Sequence, residues 1–249
     1  MNNNEQDTQL LLEKLSALAK KGPIVSRYSG SNAIGKTLQE ELGITHSTKS
    51  RNSLYNYTVT STSSKQNSGR TNLFACVPNW SESKLTSSFE HVMTNGREAP
   101  EKNYKKALFC TLSSLGPNSF GLFLKVNQQT KILEEWINDG TAEYPILKWD
   151  TEKLLKKIEA LGKSAIVTGL PVNLKGQKAF NYRYVEILEK PNPANFLQLI
   201  DEGTITMDHC ISLKEGSSTA REQGPLFKIP SSAREELYGP IQRYDLLEL

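Results

Sequence analysis

Apolar residues recur along the chain at helical spacing in several stretches, with strand-like runs between them. Leu10, Leu11, Leu15 and Leu18 form a stripe within Thr8–Lys21, which ends in two lysines and Gly22. A second helix is predicted over Ala33–Leu42, capped by Asn32 and stopped by Gly43, with Ile34, Leu38 and Leu42 on one face. A strand follows at Leu54–Thr60. Its polar turn, STSSKQNSGRT, holds Lys65 and Arg70, and the chain returns as Asn72–Val77. Ser81 is the predicted cap of a third helix carrying Leu85, Phe89 and Val92. Strands are predicted at Ala107–Leu112, Phe120–Val126 and Thr130–Trp136, then a helix capped by Asp150 and running to Leu161. Two further strands, Ala165–Leu170 and Phe180–Leu188, precede a helix over Pro193–Asp201. There Asn192 caps, Pro193 fills the first turn and Gly203 stops.

The last third is organised around Ile205–Pro230. Two apolar strands, Ile205–Ile211 and Leu226–Ile229, bracket a polar loop, and Ser232-Ala233-Arg234-Glu235 has the pattern of a capping box. Loop and return strand carry Lys214, Arg221, Glu222, Gln223 and Lys228. Forked Arg and Gln side chains on a hairpin suit base edges in a major groove. The competing reading is a solvated hairpin tip. Order and spacing together predict a mixed α+β fold, one compact unit or two lobes around a cleft.

Composition adds little direction. The 249 residues carry 30 basic and 27 acidic side chains, so any phosphate-binding face must come from local clustering. No apolar run approaches the roughly 20 residues that span a bilayer, and MNNNEQDTQ lacks the order of a signal peptide. A cytoplasmic protein is expected, with Cys76, Cys110 and Cys210 as free buried thiols. His209-Cys210 is the only His/Cys neighbour pair, and successive strand residues face opposite ways, which argues against metal binding by that pair. His46, His91 and His209 lack a nucleophile partner and read as surface or satisfied core residues. Gly30–Thr37 matches the phosphate-cradling GxxxxGK[ST] pattern, but neither a buried strand before it nor a second acidic strand end is evident.

Several stretches carry a resemblance in chain order. They are LxLIDEGTITMDHCIS, the return Gly224–Pro230, ELYGPI, Lys105–Leu112, KLLKKIEAL and Ala33–Leu38. In them the chain resembles the MvaI/BcnI family of restriction endonucleases, relatives of the nickase MutH, and most of all the BcnI branch. The resemblance implies a PD-(D/E)xK fold over residues 1–249, a mixed central sheet flanked by helices. Its two lobes would be about 1–100 plus 163–249 and about 101–162, closing on duplex DNA as a monomer. It also implies where a Mg²⁺ site would lie. The family's helix glutamate corresponds to Gln39, its strand aspartate to Ser53 or a neighbour, and its E-x-K to Thr58 and Thr60. No register brings an acid or lysine onto that strand.

The expectation is therefore a double-stranded DNA-binding homologue with a degenerate nuclease site and no cofactor, or Mg²⁺ if it is active. Lys65, Arg70, Arg221, Gln223 and Lys228 are its expected DNA contacts. Three readings compete: a working endonuclease or nickase whose acids have migrated to Glu40 or Glu41, a P-loop nucleotide binder, and a pseudoenzyme serving a partner protein or an active paralogue.

Overall fold

The computed structural model describes residues 3–44, 53–63 and 69–249. In chain order its main elements are α1 (Asn3–Lys20), β1 (Ile24–Val25), α2 (Ala33–Glu41), β2 (Ser53–Leu54), β3 (Tyr57–Ser63), β4 (Arg70–Ala75), α3 (Ser88–Asn95), β5 (Arg97–Ala99), β6 (Tyr104–Leu112) and β7 (Leu122–Asn127). Then come β8 (Ile132–Asn138), β9 (Glu143–Asp150), α4 (Thr151–Glu159), β10 (Lys163–Leu174), β11 (Gln177–Leu188), α5 (Pro193–Asp201), β12 (Thr206–Leu213), β13 (Arg221–Glu222), β14 (Leu226–Pro230), α6 (Arg234–Tyr238) and β15 (Gln242–Asp245). The chain divides into two compact units. Unit 1 is Met1–Gly69, Leu161–Pro191 and Tyr238–Leu249; unit 2 is Arg70–Ala160 and Asn192–Leu237. No helix among the described residues is long and apolar enough to cross a membrane.

Unit 1 is a sheet in the order β1-β11-β10-β3-β2, with β15 also on β11, and β10 and β3 are its parallel pair. Leu11, Leu12, Leu15 and Leu18 of α1, Ile34 and Leu38 of α2 and Leu42 just after it share one core with Tyr57, Val59, Val167, Tyr182 and Val185 of the sheet, while Leu10 of the expected stripe is exposed. Ile34 of α2 packs onto the sheet at Gly169, where the β10–β11 register shifts. A Cβ there would stand 2.6 Å from Ile34 Cδ1 and 3.2 Å from the Tyr182 ring, so any larger residue at this buried bulge must displace the Ile34 side chain. Gly169→Ala is expected to cost about 1–3 kcal/mol through overpacking, read as a lower urea midpoint at unchanged m.

Unit 2 holds two sheets, β4-β14-β12-β6-β5 with β13 on β12, and β7-β8-β9. The predicted C-terminal hairpin is present, β12 pairing antiparallel with β14. Its return strand is anchored by Phe227, fully buried among the rings of Phe74, Phe196 and Trp149. The helix predicted over Pro193–Asp201 has those bounds, and Asn192 accepts from Ala194 N–H as cap.

Several elements depart from expectation. Leu54–Thr60 is two strands, because Tyr55 and Asn56 both take left-handed φ values, 47° and 63°, and turn the chain in a two-residue hairpin. The third helix begins at Ser88 instead of Ser81. Ser87 caps it, and Glu90 returns a carboxylate to the Thr86 N–H and hydroxyl, so the polar Thr-Ser pair sets the start. Strand β9 has no counterpart in the expected elements. Its Pro145 obscures it, yet proline is tolerated there on an edge strand beside a register shift. Ser231–Ala233 forms a 3₁₀ turn before α6 in place of the expected capping box. Finally, Cys110 and Cys210 are only half-buried, so of the three free thiols Cys76 alone is buried as expected.

Candidate nucleic-acid interface

Strand alternation sorts unit 2's larger sheet into two faces. On β12, Met207, His209 and Ile211 share one face, while Thr206, Asp208, Cys210 and Ser212 share the other. The cross-strand register extends the second face. Asp208 stands opposite Thr111, Cys210 opposite Phe109, Ser212 opposite Arg221, Thr206 opposite Lys228, and Pro230 opposite Arg70. Three of the expected DNA contacts, Arg70, Arg221 and Lys228, are thereby brought onto one polar surface. Gln223 follows β13 and is exposed, its backbone N–H donating to Cys210 O. Lys65 lies outside the described residues.

Asp208 is the centre of that surface. Arg70 grips it with both terminal guanidinium nitrogens, at 2.7 and 3.0 Å, and donates as well to the hydroxyls of Thr206 and Thr111. Lys228 Nζ is 2.7 Å from the Asp208 carboxylate, and the Thr111 hydroxyl donates to it at 2.7 Å. Burial would raise the Asp208 carboxyl. The hydrogen bonds from Arg70, Lys228 and Thr111 and the Arg70 charge outweigh it and hold the group below the usual carboxylate range. Arg70, expected in a flexible turn, opens β4 and is held in place by this network. Beside it Phe109 stays 42 % exposed, edge-on to Tyr104 and with Lys102 over its ring. A depression of about 220 Å³ lies at the hairpin loop, lined by Tyr104, Ser212, Lys214, Ser217, Thr219 and Arg221 among others.

The positions matched to the nuclease site lie in unit 1 and are close together. Gln39 on α2 is buried and donates from Nε2 to Val59 O at 3.4 Å, between Thr58 and Thr60 of β3. Ser53 stands opposite Thr58 across the hairpin. Every side chain at these four positions is neutral. The neighbouring acids are engaged elsewhere, Glu40 with Arg27 at 3.3 Å and Glu41 with Lys21 at 3.4 Å.

The Gly30–Thr37 stretch opens α2. The strand before it, β1, is two residues long and antiparallel at the sheet edge, unlike the buried strand a phosphate loop requires. Lys36 lies over the Tyr28 ring, and Gly30 O accepts from Lys178.

Behind β12 lies a polar cluster that sequence reading misses as a unit. His91 of α3, Glu135 of β8 and His209 of β12 are all buried and in contact. Burial alone would push the Glu135 carboxyl up, but the two imidazoles hold it at about 2. Of the histidines expected at the surface or satisfied in the core, His91 and His209 are buried, but His209 Nδ1 has no hydrogen-bond partner, and His46 lies outside the described residues. Alternation along MDHCIS is enough to show Asp208 and His209 facing opposite ways; no local signal points to their partners.

Two solved structures of the restriction endonuclease MvaI are similar to this chain at 15 % identity. The complex with cognate DNA substrate gives a TM-score of 0.73 over 94 % of this chain and 97 % of that one. The structure without DNA gives 0.55 over 95 % and 96 %. A search among curated proteins finds no match. The fold is restriction-endonuclease-like, and the model of the MvaI/BcnI restriction endonuclease family matches residues 12–238. By that match, over most of its length, the chain belongs to the MvaI/BcnI restriction endonuclease family.

Proposed function

We propose that this protein binds double-stranded DNA sequence-specifically and does not cut it. The observation that carries the reading is the neutral set Gln39, Ser53, Thr58 and Thr60, gathered at β3 in a chain that otherwise keeps its family's fold. A Mg²⁺ site for phosphodiester hydrolysis needs carboxylates to hold the ion, and hydroxyls and an amide carry no charge to do so. Were the site active, Mg²⁺ would polarise the phosphate and activate water; no side chain at these four positions fits the ion.

Binding falls to the polar face of unit 2. Arg221 and Gln223 are exposed beside a paired strand, and their forked donors suit the edges of guanine and adenine. Lys65 takes the phosphate backbone, while Arg70 and Lys228 border the site and are held by Asp208. Binding of an MvaI structure to its cognate DNA is a property of that relative and supports the same class of ligand here.

A filter-binding salt titration on selected and random duplexes tests this. Arg221→Ala and Gln223→Ala are expected to cost about 1–3 kcal/mol on the selected site and little on random DNA. Lys65→Ala is expected to weaken both duplexes alike and to lower the salt slope by about 0.9. Uniform losses in all three variants would mean the hairpin does not read sequence. No loss in any would remove DNA from the function.

A further inference from the structure

Three side chains from three separate elements of unit 2 meet in its interior. His91 and Glu135 are 0 % exposed and His209 is 1 % exposed. His91 Nε2 and His209 Nε2 stand 3.3 Å apart. The same two nitrogens face the two oxygens of one carboxylate, His209 Nε2 at 2.7 Å from Glu135 Oε2 and His91 Nε2 at 3.2 Å from Glu135 Oε1. One potential ligand atom from each residue lies within 4.8 Å of the others.

Hydrogen bonding among these groups leaves the cluster incomplete. Glu135 Oε1 faces His91 Nε2 at 3.2 Å without a well-formed hydrogen bond, and His209 Nδ1 is buried with no partner, costly states that call for an unseen water or ion. If both Nε2 atoms carry protons to donate to the carboxylate, two N–H groups face each other at 3.3 Å; if one does not, a Glu135 oxygen loses its donor.

A cation between them resolves both points. It would take a lone pair from each Nε2 and one from each Glu135 oxygen, four donor atoms in all. Zn–N bonds of about 2.0–2.1 Å at a tetrahedral angle place two nitrogens roughly 3.3–3.4 Å apart, the spacing found here. The Asn95 side-chain amide lies 2.9 Å from His91 Nδ1. Turned with its oxygen inward it would accept the Nδ1–H and fix the ring with Nε2 towards the ion, as partners of ligating histidines do. His209 Nδ1 is outside the ligand set. Two imidazoles and a carboxylate favour a zinc-class ion over Mg²⁺, which prefers oxygen ligands and retains water.

We propose that His91, Glu135 and His209 form a binding site for one zinc-class divalent cation, joining α3, β8 and β12 in unit 2. The site is structural, since it is closed to solvent. The ion would fix the inner face of β12 while the outer face of that strand holds Asp208. None of its residues is a matched nuclease position, so the proposal stands or falls independently of DNA binding.

The test uses the full chain, stripped with chelator, dialysed and checked for folding by circular dichroism. Zn²⁺ is then titrated against a chromophoric chelator, and Co²⁺ is added as a spectroscopic probe. One equivalent of Zn²⁺ retained through desalting is expected, together with the visible absorption of four-coordinate Co²⁺. Glu135→Gln, which keeps the side-chain volume, is expected to weaken Zn²⁺ affinity by about 100-fold or more. Asn95→Ala, which touches no ligand atom, is expected to weaken it by about 10- to 100-fold. Folded wild-type protein that takes up neither ion overturns the proposal, and so does uptake that both variants leave unchanged. Should Glu135→Gln fail to fold, the wild-type stoichiometry, the Co²⁺ spectrum and Asn95→Ala decide the question.

Discussion

Supercoiled plasmid incubated with the pure protein and Mg²⁺ or Mn²⁺ is expected to remain uncut and unnicked. The expected deficit against an active relative is on the order of 10⁶-fold or more, ~8 kcal/mol of barrier lowering. Charge is the reason. Gln39 sits where α2 meets β3 and spends its amide on Val59 O, and Thr58 and Thr60 beside it are neutral. Glu40 and Glu41 are committed to Arg27 and Lys21 on the exposed side of α2. Metal-dependent nicking that disappears in Glu40→Gln or Glu41→Gln would show that the acids have migrated. Agarose electrophoresis of a long incubation is sufficient to decide.

The second large effect is expected at Asp208. Asp208→Asn keeps the shape of the side chain and removes the charge that Arg70 and Lys228 share. Both cations are partly exposed and can recover some water, so the loss of stability is expected to be about 1.5–3 kcal/mol. For a chain of this length that corresponds to roughly 3–12 °C in Tm. DNA binding is expected to move the other way. Two cations no longer held by a carboxylate become available to phosphates, so affinity for random duplex rises at low salt. The salt slope steepens by up to about 1.8, about 0.9 for each additional phosphate neutralised. Calorimetry and a salt titration on random duplex check the two halves. Loss of random-duplex binding in Asp208→Asn would place the phosphate contacts elsewhere.

What the sequence makes legible is local. The helix Pro193–Asp201 can be bounded because a cap, a first-turn proline and a stop glycine all lie within a dozen residues. The hairpin of β12 and β14 can be seen because both strands are apolar and close in sequence. Tyr55-Asn56 hides a turn, since tyrosine rarely takes a left-handed conformation, and Pro145 hides an edge strand. The candidate site is half legible. Arg221, Gln223 and Lys228 stand out by residue type near a hairpin. The convergence of Arg70 on Asp208 spans 138 positions, and that of His91 on His209 spans 118. Such pairings depend on the register of several strands at once, which no window of sequence contains. The nuclease positions are found through family resemblance, and their proximity in the fold follows only from the pairing of β2 with β3 and the Gln39 bond to Val59 O.

The division of the chain has a practical outcome. The backbone passes between the units at residues 69–70, 160–161, 191–192 and 237–238, so each unit interrupts the other. Unit 1 is completed by β15, whose Asp245 pairs with Tyr184 of β11, and by Leu246, which is fully buried. Bringing such distant segments together early carries a loop-closure cost that a previously folded unit 2 would reduce by shortening the effective loop. Neither unit can therefore be excised as a continuous gene fragment. Dissecting the two would require circular permutation or co-expressed pieces, and a simple C-terminal deletion would open the sheet of unit 1 while leaving every residue of unit 2 in place.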